Sequence, residues 1–189
     1  MNWANWGAVA VLLCLAGCAG APRQPAAPAA PDPDQARLEA DFAQAVAAMK
    51  AGDRDTARAG FQRLLEAHPE RTGPRANLAI LAYEEGDAAA ARAGFEAVLA
   101  QAPEHRVALN YLGILARERG DFEAAEAYYR RALAQAPDDP AALLNLAFLL
   151  DIYLGRPDQA LPLYQRYQAA TPTPDPRIDD WLFDVRNRQ

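Results

Sequence analysis

The sequence predicts an all-α fold, a solenoid of four helix-turn-helix units closed by a C-terminal capping helix. Three observations predict it. Glycines fall at 52, 86, 120 and 155 and prolines at 69, 103, 137 and 172, both series stepping by 34, 34 and 35 residues, and such a period marks stacked supersecondary units. Asp53, Asp87 and Asp121 directly follow their glycines, the order of a left-handed helix stop and the side-chain cap of the next helix. Half of the 189 residues are apolar (51%), so an ordered portion of about 150 residues can bury roughly 70% of its surface around one continuous core.

The chain opens with an apolar run from Gly7 to Ala16. The run is too short to cross roughly 30 Å of hydrocarbon as a helix, so residues 1–17 read as an export signal and not as a spanning anchor. It ends in Leu15-Ala16-Gly17-Cys18, which resembles the lipobox of bacterial lipoproteins. The resemblance implies that Cys18 is lipidated, becomes the first mature residue and tethers the chain to a membrane. Met1 to Trp6 departs from the pattern by carrying no Lys or Arg. Ala19 stands where an Asp retains similar lipoproteins at the inner membrane, which implies the outer membrane of a two-membrane cell, facing the periplasm.

Residues 18–33 form a Pro/Ala-rich linker. From Ala19 to Asp34 there are five prolines and no large apolar side chain, so the segment cannot bury enough surface to fold. At about 3.1 Å per residue in polyproline II it can hold a domain off a membrane by roughly 50 Å.

Residues 34–174 hold the repeats, as units 38–71, 72–105, 106–139 and 140–174. Each Gly ends a first helix and each Pro ends a second, because Pro cannot donate to the preceding turn. The third unit carries Leu109, Leu112, Gly113, Ala125, Tyr129, Ala132 and Pro137. In this it resembles the tetratricopeptide repeat (TPR) family, with Leu109 where Trp is usual. Ala57, Ala91 and Ala160 take the small position of the second helix in the other units, and Phe61, Phe95 and Tyr164 its aromatic position. Small residues let paired helices approach, and the aromatic fills space against the neighbouring unit. The first unit has Asp41 and Gln44 where the family wants large apolar residues, as an end unit with no predecessor allows. The fourth has one extra residue within Leu149-Leu150-Asp151-Ile152-Tyr153-Leu154-Gly155 and the two residues after it, which lengthens its first helix or the turn.

Residues 175–189 form the capping helix. Asp175 with Pro176 makes a cap and first-turn pair, and Ile178, Trp181, Leu182 and Val185 fall on one stripe that docks on the last repeat. Asp179, Asp180, Asp184, Arg186 and Arg188 face outward. Trp181 at helical spacing reads as core packing, with partner anchoring as the alternative.

The remaining chemistry argues against catalysis. The 19 basic and 25 acidic side chains give a net charge of -6, with no Lys/Arg cluster able to follow a phosphate backbone, so nucleic acid is excluded as a partner. Cys14 and Cys18 are the only cysteines and Ser is absent, so the repeats carry no thiolate metal site and no serine nucleophile. His68 and His105 read as surface loop histidines without a second ligand at helical spacing. The pairs Glu84-Glu85, Asp138-Asp139 and Asp179-Asp180 lie at helix ends, where solvation and the helix dipole account for them. No Gly-rich phosphate loop is present. The reading is a non-enzyme without metal or cofactor.

What the TPR resemblance implies is a concave binding face. Its lining positions carry over to Phe42, Val46 and Met49; to Ala76, Asn77, Ile80 and Tyr83; to Asn110, Ile114 and Arg117; and to Leu144, Phe148 and Asp151. The set is mostly apolar, suited to an apolar or amphipathic protein segment. Asn77 and Asn145 occupy a position where the family uses Asn structurally, and Arg117 and Asp151 are expected to pair with each other. The carboxylate clamp of the family's chaperone-binding subgroup is missing, since the matching positions hold Phe42, Val46, Asn77, Val107 and Tyr111. The expectation is a lipid-anchored adaptor similar to outer-membrane TPR lipoproteins that assist secretion, pilus or outer-membrane assembly. Self-association through the same groove is the structural alternative.

Overall fold

A computed structural model describes residues 33–188. The segment expected to be an export signal, Cys18 and the expected linker up to residue 32 lie outside the described residues. Within them the chain forms nine α-helices and one π-turn: α1 (Pro33–Lys50), α2 (Arg54–Ala67), α3 (Thr72–Glu84), α4 (Ala88–Gln101), α5 (Arg106–Glu118), α6 (Phe122–Gln135), α7 (Pro140–Phe148), the π-turn Leu149–Tyr153, α8 (Pro157–Ala170) and α9 (Ile178–Asn187). Each helix packs on its sequence neighbours, in four first/second pairs followed by α9. No described helix is long and apolar enough to cross a membrane.

Local chemistry sets the helix ends. Gly52, Gly86, Gly120 and Gly155 have φ of 81°, 84°, 81° and 60°, the left-handed conformation that ends a helix at little cost only for Gly. The side chains of Asp53, Asp87 and Asp121 then accept from the amides of Thr56 (3.1 Å), Ala90 (2.9 Å) and Ala124 (3.2 Å). First helices are capped differently. Asp139 accepts from Ala142 N (3.0 Å) and His105 Nδ1 from Ala108 N (3.3 Å), so His105 is a cap and not merely a loop residue. Arg71, before α3, makes no side-chain cap, and the amide that the Asp caps bond, that of the third helical residue, is missing here because that residue is Pro74. At the chain's near end Pro33 and Asp34, expected in the linker and at the start of the repeats, already form the first turn of α1, where Pro is tolerated.

The core runs through the stack as apolar clusters at the junctions between units. Ala57, Ala91, Ala125 and Ala160 are fully buried, as are Phe61, Phe95, Tyr129 and Tyr164. Close helix approach is achieved in two ways. In the first two units Gly60 and Gly94 face Ala45 and Ala79, and a Cβ on either glycine would stand 2.8 Å from the opposing Ala Cβ. In the third the small residue moves to the other helix, where a Cβ on Gly113 would overlap the ring of Tyr129.

The extra residue of the fourth unit is absorbed as the π-turn. Leu154 N donates to Leu149 O at 3.0 Å, a five-residue step that inserts one residue without ending the helix. Asp41 and Gln44 are exposed at the open end of the stack.

The capping helix departs from expectation at both ends. It begins at Ile178, because Asp175 instead caps a tight turn, accepting from Arg177 N (2.9 Å), Nε (2.9 Å) and Nη2 (2.8 Å). These bonds hold the Asp175 carboxyl down at about 2. At the far end Arg188 does not point outward but turns back onto Asp151 at 2.9 Å. Two contacts place α9 in the register of a fifth first helix. Trp181 lies 6.1 Å from Tyr164 as Tyr111 lies 4.9 Å from Phe95, and Arg188 meets Asp151 as Glu118 meets Tyr83. Phe183 then falls where the other units have Ala45, Ala79, Gly113 and Ala147. Those are covered by their own second helix, whereas Phe183 is 66% exposed. A ring that large stands where the other units keep a small residue for the close approach of a second helix.

Candidate functional site

The lining positions named from the sequence recur one per turn along α1, α3, α5 and α7. Phe42, Val46 and Met49 are half-buried over Phe61, with the Phe42 and Phe61 rings 5.8 Å apart. Ile80, Ile114 and Leu144 are likewise half-buried, each packed on the core of its junction. Each of these six side chains thus anchors one side in the core and offers only the other.

Polar members tie adjacent units together. Asn145 Nδ2 donates to Asn110 Oδ1 at 3.0 Å, whereas Asn77 Nδ2 folds back to Gly73 O at 3.0 Å within its own helix. Tyr83 Oη donates to Glu118 Oε1 at 2.7 Å, and its ring meets Tyr111 edge-on at 5.3 Å. Burial, reinforced by Glu118, pushes the Tyr83 hydroxyl up to about 12, so it stays a donor at any ordinary pH.

Four expectations are corrected. Ala76 is buried (4%) and closes α3 onto the core without lining a surface. Asp151 is also buried, and its partner is Arg188, with Tyr164 Oη at 3.4 Å. Arg117 therefore does not pair with Asp151; its guanidinium stands 5.7 Å from the centre of the Tyr153 ring. Phe148 stays half-buried like Ile80, but the side it hides packs on α9 as well as on the core, its ring 4.8 Å from Trp181 and 6.0 Å from Tyr164. The physical cause is common to the last three: α9 occupies the place of a fifth first helix and closes the last turn of the face.

The sequence reading missed Ile152 and Tyr153, which the π-turn leaves 57% and 47% exposed. Their signal was the 35-residue step between Gly120 and Gly155, which located the insertion but not which side chains it would turn outward. A cavity of about 600 Å³ opens between α1 and α3, floored by Leu38, Phe42, Leu64 and Pro74 and rimmed by Glu39 and Arg71. Among the described residues no group of three or more His, Cys, Asp or Glu is placed to hold a metal ion. His105 is held below the usual histidine range by burial and, more weakly, by the adjacent Arg106, which suits its role as a neutral cap acceptor.

Antiparallel helix pairs stacked at a 34-residue period, with small residues at the close approaches and a partly apolar ladder on the first helices, define a helical-repeat scaffold whose chemistry is that of binding. The chain belongs to the tetratricopeptide repeat family: one tetratricopeptide repeat model matches residues 76–140 and 112–173, and a second matches residues 39–71. No curated protein matches it in sequence. Solved structures share the fold. PilF of Pseudomonas aeruginosa superposes with a TM-score of 0.71 at 19% identity, over 82% of this chain and 69% of that one. A thermophilic TPR protein of Thermus thermophilus gives 0.65 at 19% identity, over 79% and 81%. The MamA protein gives 0.62 at 18%, over 80% and 81%. At these identities the likeness is one of fold.

Proposed function

We propose that this chain is a non-catalytic, lipid-anchored TPR adaptor that binds a protein segment along the ladder of first helices and helps assemble or position a cell-envelope complex. The observation that carries the binding half is the unbroken series Val46, Ile80 and Ile114, each half-buried in the core and half offered, flanked by the apolar cavity between α1 and α3. Such a surface accepts alternate apolar side chains of a partner segment. The anchor half rests on the lipobox resemblance at Cys18 and the Pro-rich linker after it.

Crosslinking from envelope fractions tests the binding half. Wild type captures a specific protein that Ile80→Glu does not, while thermal unfolding of the two stays alike. Capture that survives Ile80→Glu removes the ladder as the binding face. Fractionation tests the other half: Cys18→Ala moves the chain from the membrane to the soluble fraction or blocks its processing, and unchanged membrane association excludes Cys18 as the anchor.

Self-association is the second reading, and exposed Phe183 on α9 is the observation that favours it. In that case sedimentation changes with protein concentration alone, and Phe183→Ser abolishes the change.

A further inference from the structure

In the four repeats each first helix is covered by its own second helix, α1 by α2, α3 by α4, α5 by α6 and α7 by α8. The helix α9 stands in the register of a fifth first helix, and among the described residues nothing covers the corresponding face, at whose middle Phe183 is 66% exposed. The positions that share this face with Phe183 are those three and four residues away. They are Asp179 and Asp180 on one side and Arg186 and Asn187 on the other, all four exposed. Asp180 and Arg186 make no ion pair among the described residues. Asp179 engages one oxygen only, Oδ1, which accepts from Gln168 Nε2 at 2.8 Å.

The open face is therefore acidic in its first half, aromatic at its centre and basic in its last half, a pattern complementary to itself when reversed. Two such faces laid antiparallel about a twofold axis at Phe183 bring the Arg186 end of each onto the acidic turn of the other, so every charge contact is made twice. A parallel pair would set acid on acid and base on base, which costs free energy. The ring suits the same arrangement. It is too large for the close approach that Ala45, Ala79, Gly113 and Ala147 allow, but two rings side by side across the axis shield each other from water at the usual spacing of roughly 8–10 Å between packed helices.

We propose that a second copy of this chain covers α9: the two α9 helices pack antiparallel in a twofold dimer, with Phe183 on the axis and Arg186 of each copy against Asp179 and Asp180 of the other. The inference rests on the self-association reading above and adds its surface and geometry. One helix face buries less than the roughly 1,600 Å² of a standard interface, so the dimer is weak and reversible. It uses no residue of the first-helix ladder.

Sedimentation equilibrium of the full-length chain over about a hundredfold range of concentration tests the pair. Wild type moves from monomer to dimer and no further, because a twofold contact closes on itself. Phe183→Ser stays monomeric, and when dilute it unfolds at the wild-type temperature, since the ring it removes is exposed. Arg186→Glu and Asp179→Arg each weaken dimerisation about tenfold, because each turns two attractions into two repulsions. The double variant of Asp179→Arg with Arg186→Glu recovers wild-type dimerisation, as the reversed charges meet again.

A wild type that stays monomeric throughout overturns the self-association reading and this pair with it. Association that survives Phe183→Ser removes α9 as the contact surface, and growth past the dimer removes the twofold axis. If Phe183→Ser abolishes dimerisation while the single charge variants dimerise like wild type, or the double variant does not recover, the copies meet through α9 in another geometry. The antiparallel pair then falls and the self-association reading stands.

Discussion

Arg188, at the C-terminal end of α9, reaches back to the buried carboxylate of Asp151 in the π-turn, Nη2 to Oδ2 at 2.9 Å, and so ties the capping helix to the fourth repeat. The Asp151 side chain is 2% exposed and that of Arg188 is 47%, so the pair is half in water and its strength lies between that of a surface and a buried bridge. Removing only the arginine leaves a buried carboxylate facing the Tyr164 hydroxyl. Arg188→Ala is expected to cost about 2 kcal/mol in denaturant unfolding. Adding Asp151→Asn to it should recover part of that loss, and a double-mutant cycle reads the coupling.

The close approaches of paired helices predict a second result. Gly113→Ala puts a methyl where the Tyr129 ring lies, and overpacking of this kind costs about 2 kcal/mol even though Ala is the better helix former. In the second unit the clash is Cβ on Cβ, between position 94 and Ala79. Gly94→Ala is therefore expected to destabilise alone and to be largely rescued by Ala79→Gly, which moves the small residue to the opposite helix. Thermal unfolding of the three variants checks both statements.

His105 gives the fold a pH dependence. Burial lowers its folded value below the usual 6.5 or so of an unfolded histidine, so the unfolded chain takes up a proton that the folded chain resists. Its contribution to stability is complete above about pH 6.5 and is lost as the pH falls through that value toward the depressed folded one. Protonation also removes the Nδ1 lone pair that caps Ala108. Unfolding midpoints measured from about pH 7.5 to about 5.5 should fall more for wild type than for His105→Asn, which keeps a cap acceptor and does not titrate.

Phe148 supplies a fourth test, of stability rather than binding. Its half-buried ring packs against both Tyr164 and Trp181, so Phe148→Ala should cost about 2 kcal/mol and expose more of Trp181. A red shift of tryptophan emission in the native protein reads that exposure. Ile80→Glu, by contrast, changes a side chain with one open side, and should leave emission unaltered.

Much of this architecture is local and was legible in the sequence. The Gly-Asp steps at 52, 86 and 120 declare a left-handed stop and a cap with no help from distant residues, and Ala57, Phe61 and their equivalents mark the packing faces by periodicity alone. The ladder positions follow from the same register, which is why Val46, Ile80 and Ile114 can be placed on one side of their helices from spacing.

What the tertiary structure decided concerns pairs far apart in the chain. Spacing named Arg117 and Asp151 as partners because they occupy the same position in adjacent units, but α9 lies alongside the fourth unit and delivers Arg188 to Asp151 first. A one-residue excess somewhere in 149–157 could be counted from the sequence. Its form as a π-turn, which buries Asp151 and turns Ile152 and Tyr153 outward, depended on how α7 and α8 must both keep their contacts across the insertion. Helix stops and faces are written in neighbours a few residues apart, and the sequence determines them. Which side chain reaches a buried charge is a competition between elements, and only the packed fold resolves it.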